Sequence, residues 1–171
     1  NLVSFREKVD EILNRQKNLV IILNGIANNP TGYSMSMSEW QAAVDVLKAA
    51  VEGKDKNVIL VPDVAYLDYS GEKEECRKFF KVFGNLPKNI LVIVAYTLSK
   101  GFTLYGQRQG AMIAVTSDKD VAKEFVDVNQ YASRATWSNC NSAAQNVMID
   151  ICSDPEKIRR LDRERDVYYK L

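Results

Sequence analysis

Three short apolar runs, separated by segments of helical character, constrain most strongly how this chain can fold. The runs are LVIIL at 19–23, NVILV at 57–61 and ILVIVAY at 90–96. Apolar runs of this length are typical of buried strands in a parallel sheet. A fourth run, QGAMIAVT at 109–116, predicts one more strand. Strands that alternate with helices indicate an α/β fold, here expected as a three-layer α/β/α arrangement with a mostly parallel sheet.

Segments with apolar residues at helical spacing lie between and after these runs. Helices are predicted at 4–18, from about 36, at 74–83, 119–132 and 142–152, and from Pro155 onward. Capping boxes that could begin the first two helices are offered by Ser4 with Glu7, Ser36 with Glu39, and Ser38 with Gln41. Asp154 before Pro155 favours a helix start, because proline suits the first helical position.

Composition narrows the classes of partner and compartment. The 171 residues include 23 basic and 22 acidic side chains, so the formal net charge is +1. That balance gives no reason to expect a nucleic-acid or membrane partner. No apolar run approaches the roughly 20 residues of a membrane span. Three cysteines, Cys76, Cys140 and Cys152, are expected to be free thiols, as in a cytoplasmic protein.

The chain contains no histidine. This absence excludes a Ser-His-Asp or Cys-His site built from this chain alone. It also removes the commonest metal ligand and the commonest general base, and no cysteine spacing resembles a metal site, so no metal is expected. Catalysis would have to rest on Lys, Asp, Tyr or Arg side chains, or on a cofactor.

Polar side chains follow the carboxyl ends of three predicted strands. Asn29 follows the first strand, Asp63 the second and Lys100 the third. In open α/β sheets ligands bind outside these ends. The sequence therefore predicts that an amide, a carboxylate and an amine meet at one edge of the sheet.

Three motifs in this order resemble those of fold-type I pyridoxal-phosphate (PLP) enzymes. They are NPTG at 29–32, DVAY at 63–66 and SKGFTLYGQRQG at 99–110. The nearest likeness is to the aspartate/aromatic aminotransferases, and it extends from about residue 19 to about residue 152. The resemblance implies PLP as cofactor, and as substrates an amino acid of the aspartate or aromatic type and a 2-oxo acid.

The resemblance also implies which residues hold the ring of the cofactor. Lys100 is expected to form the internal Schiff base and then to act as general base and acid. Asp63 would pair with the pyridinium nitrogen and keep it protonated, which deepens the electron sink. Tyr66 and Asn29 would hydrogen-bond the phenolate oxygen, and Asn29 is expected to contact the substrate as well.

The phosphate of the cofactor is assigned by the same resemblance to Arg108. Arginine suits this role because its rigid fork can bind two phosphate oxygens at once. A hydroxyl before the lysine is expected to help. The matching position is Thr97, three residues before Lys100, and Ser99 is a second candidate.

The segment RATWSN, at 134–139, resembles the part of dicarboxylate-using aminotransferases where an arginine precedes an aromatic-Ser-Asn run. In those proteins this arginine reads the side-chain carboxylate of a substrate in the partner subunit's site. Arg134 is the matching residue here. The prolines that follow the Asn in that group are replaced by Cys140 and Asn141.

The resemblance further implies a domain division. Residues 1–153 are expected to be the core of the large PLP-binding domain, and residues 154–171 the start of a long helix toward a C-terminal small domain. The sequence reads as part of a longer, homodimeric protein with shared sites, and the chain alone is expected to be inactive.

Three other interpretations remain open. A C–S lyase or another fold-type I enzyme would carry the same lysine, aspartate and tyrosine. An aminotransferase-like domain can also be the effector-sensing part of a transcription regulator, which a DNA-binding domain before Asn1 would reveal. Finally, the isolated chain could keep the fold and bind no ligand.

Overall fold

Four strands form one mixed sheet in the computed structural model, which describes residues 1–170. The strands are β1 (Asn18–Leu23), β2 (Asn57–Pro62), β3 (Ile90–Thr97) and β4 (Gly110–Val115). Their order is β1-β2-β3-β4; the first three are parallel, and β4 is antiparallel to β3. The predicted α/β fold with a mostly parallel sheet is confirmed. Each predicted strand agrees with the observed one to within one residue at each end.

The α-helices of residues 1–170 are α1 (Leu2–Arg15), α2 (Met37–Val51), α3 (Leu98–Gly101), α4 (Lys119–Thr136), α5 (Ser142–Cys152) and α6 (Pro155–Tyr169). Short 3-10 helices lie at Leu67–Tyr69, Lys78–Phe83 and Tyr105–Gln107. The prediction for α5 is confirmed, and so is the start of α6 after its cap Asp154. α4 continues past the predicted end at 132. Residue 171, which the sequence places in the last helix, lies outside the described residues.

The predicted N-terminal caps of the first two helices differ in outcome. The side chain of Asn1 accepts a hydrogen bond from Val3 N at 3.0 Å, so α1 begins before the predicted cap at Ser4 and that prediction is wrong. The helix also ends at Arg15, three residues before the predicted end. In α2 the capping box of Ser36 and Glu39 is confirmed, with both of its hydrogen bonds present.

The helix predicted at 74–83 is shorter than expected, and it is a 3-10 helix that spans Lys78–Phe83. Phe79 stacks on Trp40 with 4.9 Å between ring centroids, and Phe83 meets the same indole edge-on at 5.9 Å. Trp40 is completely buried. Aromatic packing around Trp40 accompanies the tighter 3-10 winding, so tertiary contacts outweigh the local preference for an α-helix.

One face of the sheet carries the hydrophobic core, against which α1 and α2 pack. The buried strand residues are Leu19, Val58, Leu60, Pro62, Ile90, Val92 and Val94. On the opposite face Val20 is 59% exposed and Ile22 is 74% exposed. Successive strand side chains point to opposite faces, so the prediction that the run 19–23 is buried holds for only one face of β1.

The second helical layer lies on that opposite face, where α4 contacts β4. Phe125 and Val128 of α4 line a cleft together with Ile93 of β3 and Met112 of β4. The three layers are therefore α1 and α2, the sheet, and α4. None of the helices within residues 1–170 combines the length and the apolar character needed to cross a membrane.

Candidate active site

The polar residues that the sequence places after the strands lie at the carboxyl edge of the three parallel strands. Asp63 directly follows β2, where its N–H donates to Leu23 O of β1 at 3.1 Å and it forms an isolated parallel bridge with Ala95 of β3. The backbone of Asp63 is thereby fixed between the ends of β1 and β3. Lys100 lies in α3, the single helical turn that continues directly from β3.

Both carboxylate oxygens of Asp63 accept a hydrogen bond. Oδ1 accepts from Ala65 N at 3.0 Å, and Oδ2 accepts from Asn24 Nδ2 at 3.0 Å. These two donors fix the orientation of the carboxylate plane. Asn24 was not singled out by the sequence. The available signal was its position, as the polar residue that immediately follows the apolar run of β1.

A chain of side-chain hydrogen bonds runs from the turn after β1 toward this carboxylate. Thr31 Oγ1 donates to Asn28 Oδ1 at 2.8 Å, and Asn28 Nδ2 donates to Asn24 Oδ1 at 3.0 Å. Each link points the next donor toward Asp63. The NPTG turn is therefore tied to the end of β2 by hydroxyl and amide groups alone, and none of these groups titrates near neutral pH.

The turn that carries Lys100 is fixed locally by a side-chain cap. Thr97 Oγ1 accepts from Ser99 N at 3.2 Å, which caps α3, and it donates to Gln109 O at 3.3 Å. Leu98 and Gly101 are buried, whereas Lys100 is half-buried. A buried turn with one half-exposed lysine directs that amine toward the edge of the sheet.

Two tyrosine rings lie next to the Lys100 amine. Its Nζ is 5.3 Å from the ring centroid of Tyr66 and 4.6 Å from that of Tyr105. Tyr66 also accepts a hydrogen bond at its hydroxyl from Asn29 Nδ2, at 3.5 Å. Both tyrosines are within the range of a cation–π contact, worth about 0.5–1 kcal/mol at an exposed site. The structure thus brings together three of the predicted residues: Asn29, Tyr66 and Lys100.

Arg108 approaches the same turn from the other side. Its Nη1 lies 3.5 Å from Ser99 Oγ and 3.0 Å from Tyr105 O. The backbone of Arg108 is left-handed, with φ 53°, a conformation that costs a non-glycine residue roughly 1 kcal/mol or more. Of the two candidate hydroxyls, Ser99 is the one beside Arg108, whereas Thr97 is engaged in capping α3.

Arg134 lies apart from this group, in the last turn of α4. Its Nη1 donates to Ser138 Oγ at 2.6 Å and the side chain is exposed. Within residues 1–170 it forms no hydrogen bond or ion pair with Asp63 or Lys100. Asn141, which replaces a proline of the resembling group, caps α5 and donates to Gln107 Oε1 at 2.6 Å. This bond ties the start of α5 to the turn before Arg108.

Comparisons with known proteins identify the family of this chain. The model of the family "Aminotransferase class I and II" matches residues 3–170. The aspartate aminotransferase of Pseudomonas aeruginosa is 27% identical over 137 residues, which are 80% of this chain and 32% of that protein. The chain thus spans about a third of the length of such relatives.

Solved structures give the same result. An aminotransferase from Anaerococcus prevotii superposes with a TM-score of 0.95 at 37% identity, over 99% of this chain and 41% of that one. An aromatic-amino-acid aminotransferase from Burkholderia pseudomallei, solved covalently bound to pyridoxal phosphate, superposes with a TM-score of 0.79 over 99% of this chain and 42% of that one. At 22% identity the second match shows a shared fold alone. This chain belongs to the class I and II aminotransferase family.

Proposed function

We propose that this chain is the cofactor-binding part of a PLP-dependent aminotransferase that uses an amino acid of the aspartate or aromatic type and a 2-oxo acid. The observation that carries the proposal is the placement of Lys100. Its amine lies beside Tyr66, at the edge of the sheet where Asp63 follows β2 and Arg108 approaches Ser99.

The chemistry of these side chains fits the three polar parts of PLP. The Asp63 carboxylate, oriented by two hydrogen bonds, suits a protonated ring nitrogen. The Asn29–Tyr66 pair offers donors for a phenolate oxygen. The Arg108 guanidinium beside the Ser99 hydroxyl suits a phosphate, with Thr97 as a further hydroxyl.

Lys100 is the proposed covalent anchor and proton carrier. Its Nζ is the group that would hold PLP covalently, through the aldehyde of the cofactor. PLP, when bound, supplies an electron sink for the electrons of the Cα–H bond. The Lys100 amine would take the Cα proton of the substrate and return it, so no histidine is needed. The complete cycle moves one amino group between two carbon skeletons and needs no outside oxidant.

Asp63 and Arg108 hold the position of the reacting group in this scheme. Donors from Asn24 and Ala65 hold the Asp63 carboxylate in one orientation, so it would be placed to pair with a protonated ring nitrogen. Arg108 and Ser99 would bind the phosphate of the cofactor. A cofactor held by its ring nitrogen and by its phosphate would present its aldehyde to Lys100 with little freedom, which is a proximity effect.

Substrate recognition and assembly belong to the same proposal. Arg134 is exposed at the end of α4, and among the described residues its side chain donates to Ser138. An arginine presented in this way supports a role in binding a substrate carboxylate in the site of a second subunit of a homodimer. Asn29, exposed beside Tyr66, is proposed to contact the substrate.

The proposed domain division assigns residues 1–153 to the core of the large PLP-binding domain. α6 would then lead toward a C-terminal small domain. The break between two helices supports this division: α5 ends at Cys152, and the side chain of Asp154 caps the start of α6.

Transamination by the full-length protein that carries this sequence tests the proposal. The Lys100→Ala variant is expected to transfer the amino group of aspartate or tyrosine to 2-oxoglutarate at least about 10²–10⁴-fold more slowly. The matched control is Lys88→Ala, since Lys88 is an exposed lysine just before β3, at the other end of the same strand. Equal activity of the two variants, both folded, would reject Lys100 as the catalytic residue.

A further inference from the structure

A buried carboxylate lies behind the turn that carries Lys100. The side chain of Asp68, in the 3-10 helix Leu67–Tyr69, is only 4% exposed. Its Oδ1 is 2.5 Å from Arg77 Nη2, and its Oδ2 accepts from Tyr96 OH at 2.9 Å. Arg165 Nη2 of α6 lies 3.4 Å from Oδ2. A buried carboxylate with two guanidinium partners is costly to disturb, so its position is tightly set.

Arg165 joins this carboxylate to the residue that follows Lys100. Its Nε donates to Gly101 O at 2.8 Å, and its guanidinium lies 4.7 Å from the ring centroid of Phe102. The side chain is only 11% exposed. The peptide group that follows Gly101 is thus held by one arginine from α6, which itself forms an ion pair with Asp68.

The carbonyl of Lys100 has its own donor from the same 3-10 helix. Tyr69 OH donates to Lys100 O at 3.1 Å. Burial raises the pKa of the Tyr69 hydroxyl above its ordinary value, so it remains a donor through the neutral range. The carbonyls of Lys100 and of Gly101 are therefore both bound by side chains whose positions depend on the segment 67–69.

There is no space for a side chain at Gly101. A Cβ at that position would lie 2.0 Å from Asp68 Oδ2 and 3.1 Å from Tyr96 OH. The backbone of the lysine turn therefore rests directly on the carboxylate group. A shift of Asp68 would move Gly101, and the Cα of Lys100 would move with it.

We infer that Asp68, acting through Arg165 and Gly101, is a positioning residue that fixes the location of the Lys100 amine. Because Arg165 belongs to α6, the position of α6 would also affect the position of this amine. The Asp68–Arg165 pair fixes the backbone position at Gly101, next to Lys100. A fixed backbone limits the volume that the Nζ of the flexible lysine side chain can sample. The inference rests on the proposed function of Lys100, since positioning matters only if that amine bonds the cofactor.

The test uses the full-length protein that carries this sequence and compares three variants. Asp68→Asn removes the charge and keeps the shape. Arg165→Lys keeps the charge and removes the donor to Gly101 O. Arg160→Lys is the matched control, because Arg160 is an exposed arginine of the same helix that pairs with Glu164.

The first readout needs no cofactor. The amide of Thr103 donates to Lys100 O at 3.0 Å, so its hydrogen exchange reports on the lysine turn. Asp68→Asn and Arg165→Lys are expected to speed this exchange about tenfold, and Arg160→Lys to leave it within twofold of wild type. Tyr69→Phe, which keeps the charges and removes only the donor to Lys100 O, supplies the test if Asp68→Asn does not fold.

The second readout is the fraction of bound PLP that is covalently attached, measured from absorbance at saturating PLP and well below the unfolding temperature. A role limited to stability would lower the yield of folded protein and leave this fraction unchanged. A positioning role lowers the fraction, or its rate of formation, by about threefold or more in Asp68→Asn and Arg165→Lys.

The outcomes separate the two claims. Wild-type protein that forms no covalent bond with PLP rejects the proposed function, and the positioning role with it. Wild-type protein that forms the bond, with all variants matching Arg160→Lys in both readouts, rejects the positioning role alone. Faster exchange with an unchanged covalent fraction also rejects it, because the pair would then serve stability only.

Discussion

Asn24 Nδ2 donates to Asp63 Oδ2 over 3.0 Å, so the amide that follows β1 holds the carboxylate that follows β2. Removing this donor leaves Oδ2 of the half-buried Asp63 carboxylate without its hydrogen bond from Asn24. A hydrogen bond to a charged group contributes about 1.5–3 kcal/mol. Asn24→Ala is therefore expected to weaken PLP binding to the full-length protein by roughly tenfold or more, measured as a Kd from the quenching of protein fluorescence.

The control for Asn24→Ala is Asn57→Ala. Asn57 Nδ2 donates to Asn18 Oδ1 at 2.8 Å, at the opposite ends of the same two strands. The control removes an equivalent inter-strand amide bond far from Asp63 and is expected to leave the Kd unchanged. If both variants weaken PLP binding equally, Asn24 acts through the stability of the sheet and not through the carboxylate.

A methyl group added at Gly101 should lower the free energy of unfolding. In Gly101→Ala the new Cβ would lie 2.0 Å from Asp68 Oδ2, so the turn or the carboxylate must move. Overpacking of this kind costs about 1–3 kcal/mol in the free energy of unfolding. Denaturant titration of Gly101→Ala should show this loss, together with a reduced capacity to bind PLP covalently.

Gly106 provides the matched substitution five residues away. A Cβ there meets nothing within 4 Å, so Gly106→Ala should change the free energy of unfolding by no more than about 0.5 kcal/mol. Equal stability of Gly101→Ala and Gly106→Ala would contradict the close contact between the lysine turn and Asp68.

Glu39 at the start of α2 has a pKa lowered to about 2, first through its hydrogen bond from Tyr33 OH and then through Ser36. Its ordinary value is 4.5, so this carboxylate contributes stability that is fully present above about pH 4.5 and lost as the pH falls toward 2. In Tyr33→Phe the pKa of Glu39 should rise toward 4.5, as followed by NMR titration of the side-chain carboxyl carbon.

Acid unfolding of Tyr33→Phe should accordingly begin at higher pH than in wild type. The control is Tyr131→Phe, since Tyr131 of α4 is 79% exposed. Its acid transition should match that of wild type. A Glu39 pKa that stays near 2 without the Tyr33 hydroxyl would show that Ser36 alone accounts for the shift.

The sequence predicted the strands and the edge of the sheet well because those features are local. An uninterrupted apolar run marks a buried strand, and the polar residue after it marks the edge, as with Asp63 after β2. The positions of Asn29, Tyr66, Lys100 and Arg108 followed from motifs that each occupy a short stretch. Local pattern was also enough for the Ser36–Glu39 cap of α2.

The features that the sequence did not predict depend on contacts between distant segments. Arg165 reaches Gly101 across 64 residues, and no local pattern in α6 distinguishes it from the exposed arginines nearby. The 3-10 winding at Lys78–Phe83 follows the packing of aromatic rings on Trp40 from α2. The exposure of one face of β1 depends on which elements cover the sheet. The run 19–23 is apolar on both faces, so its sequence does not show which face is exposed.

Covalent trapping tests the assignment of Lys100 most directly. The full-length protein is incubated with PLP and reduced with borohydride, and the modified peptide is then mapped by mass spectrometry. We expect a single modified lysine, Lys100, and none in Lys100→Ala. A label that is absent from wild type, or that lies on another lysine of the chain, would contradict the account.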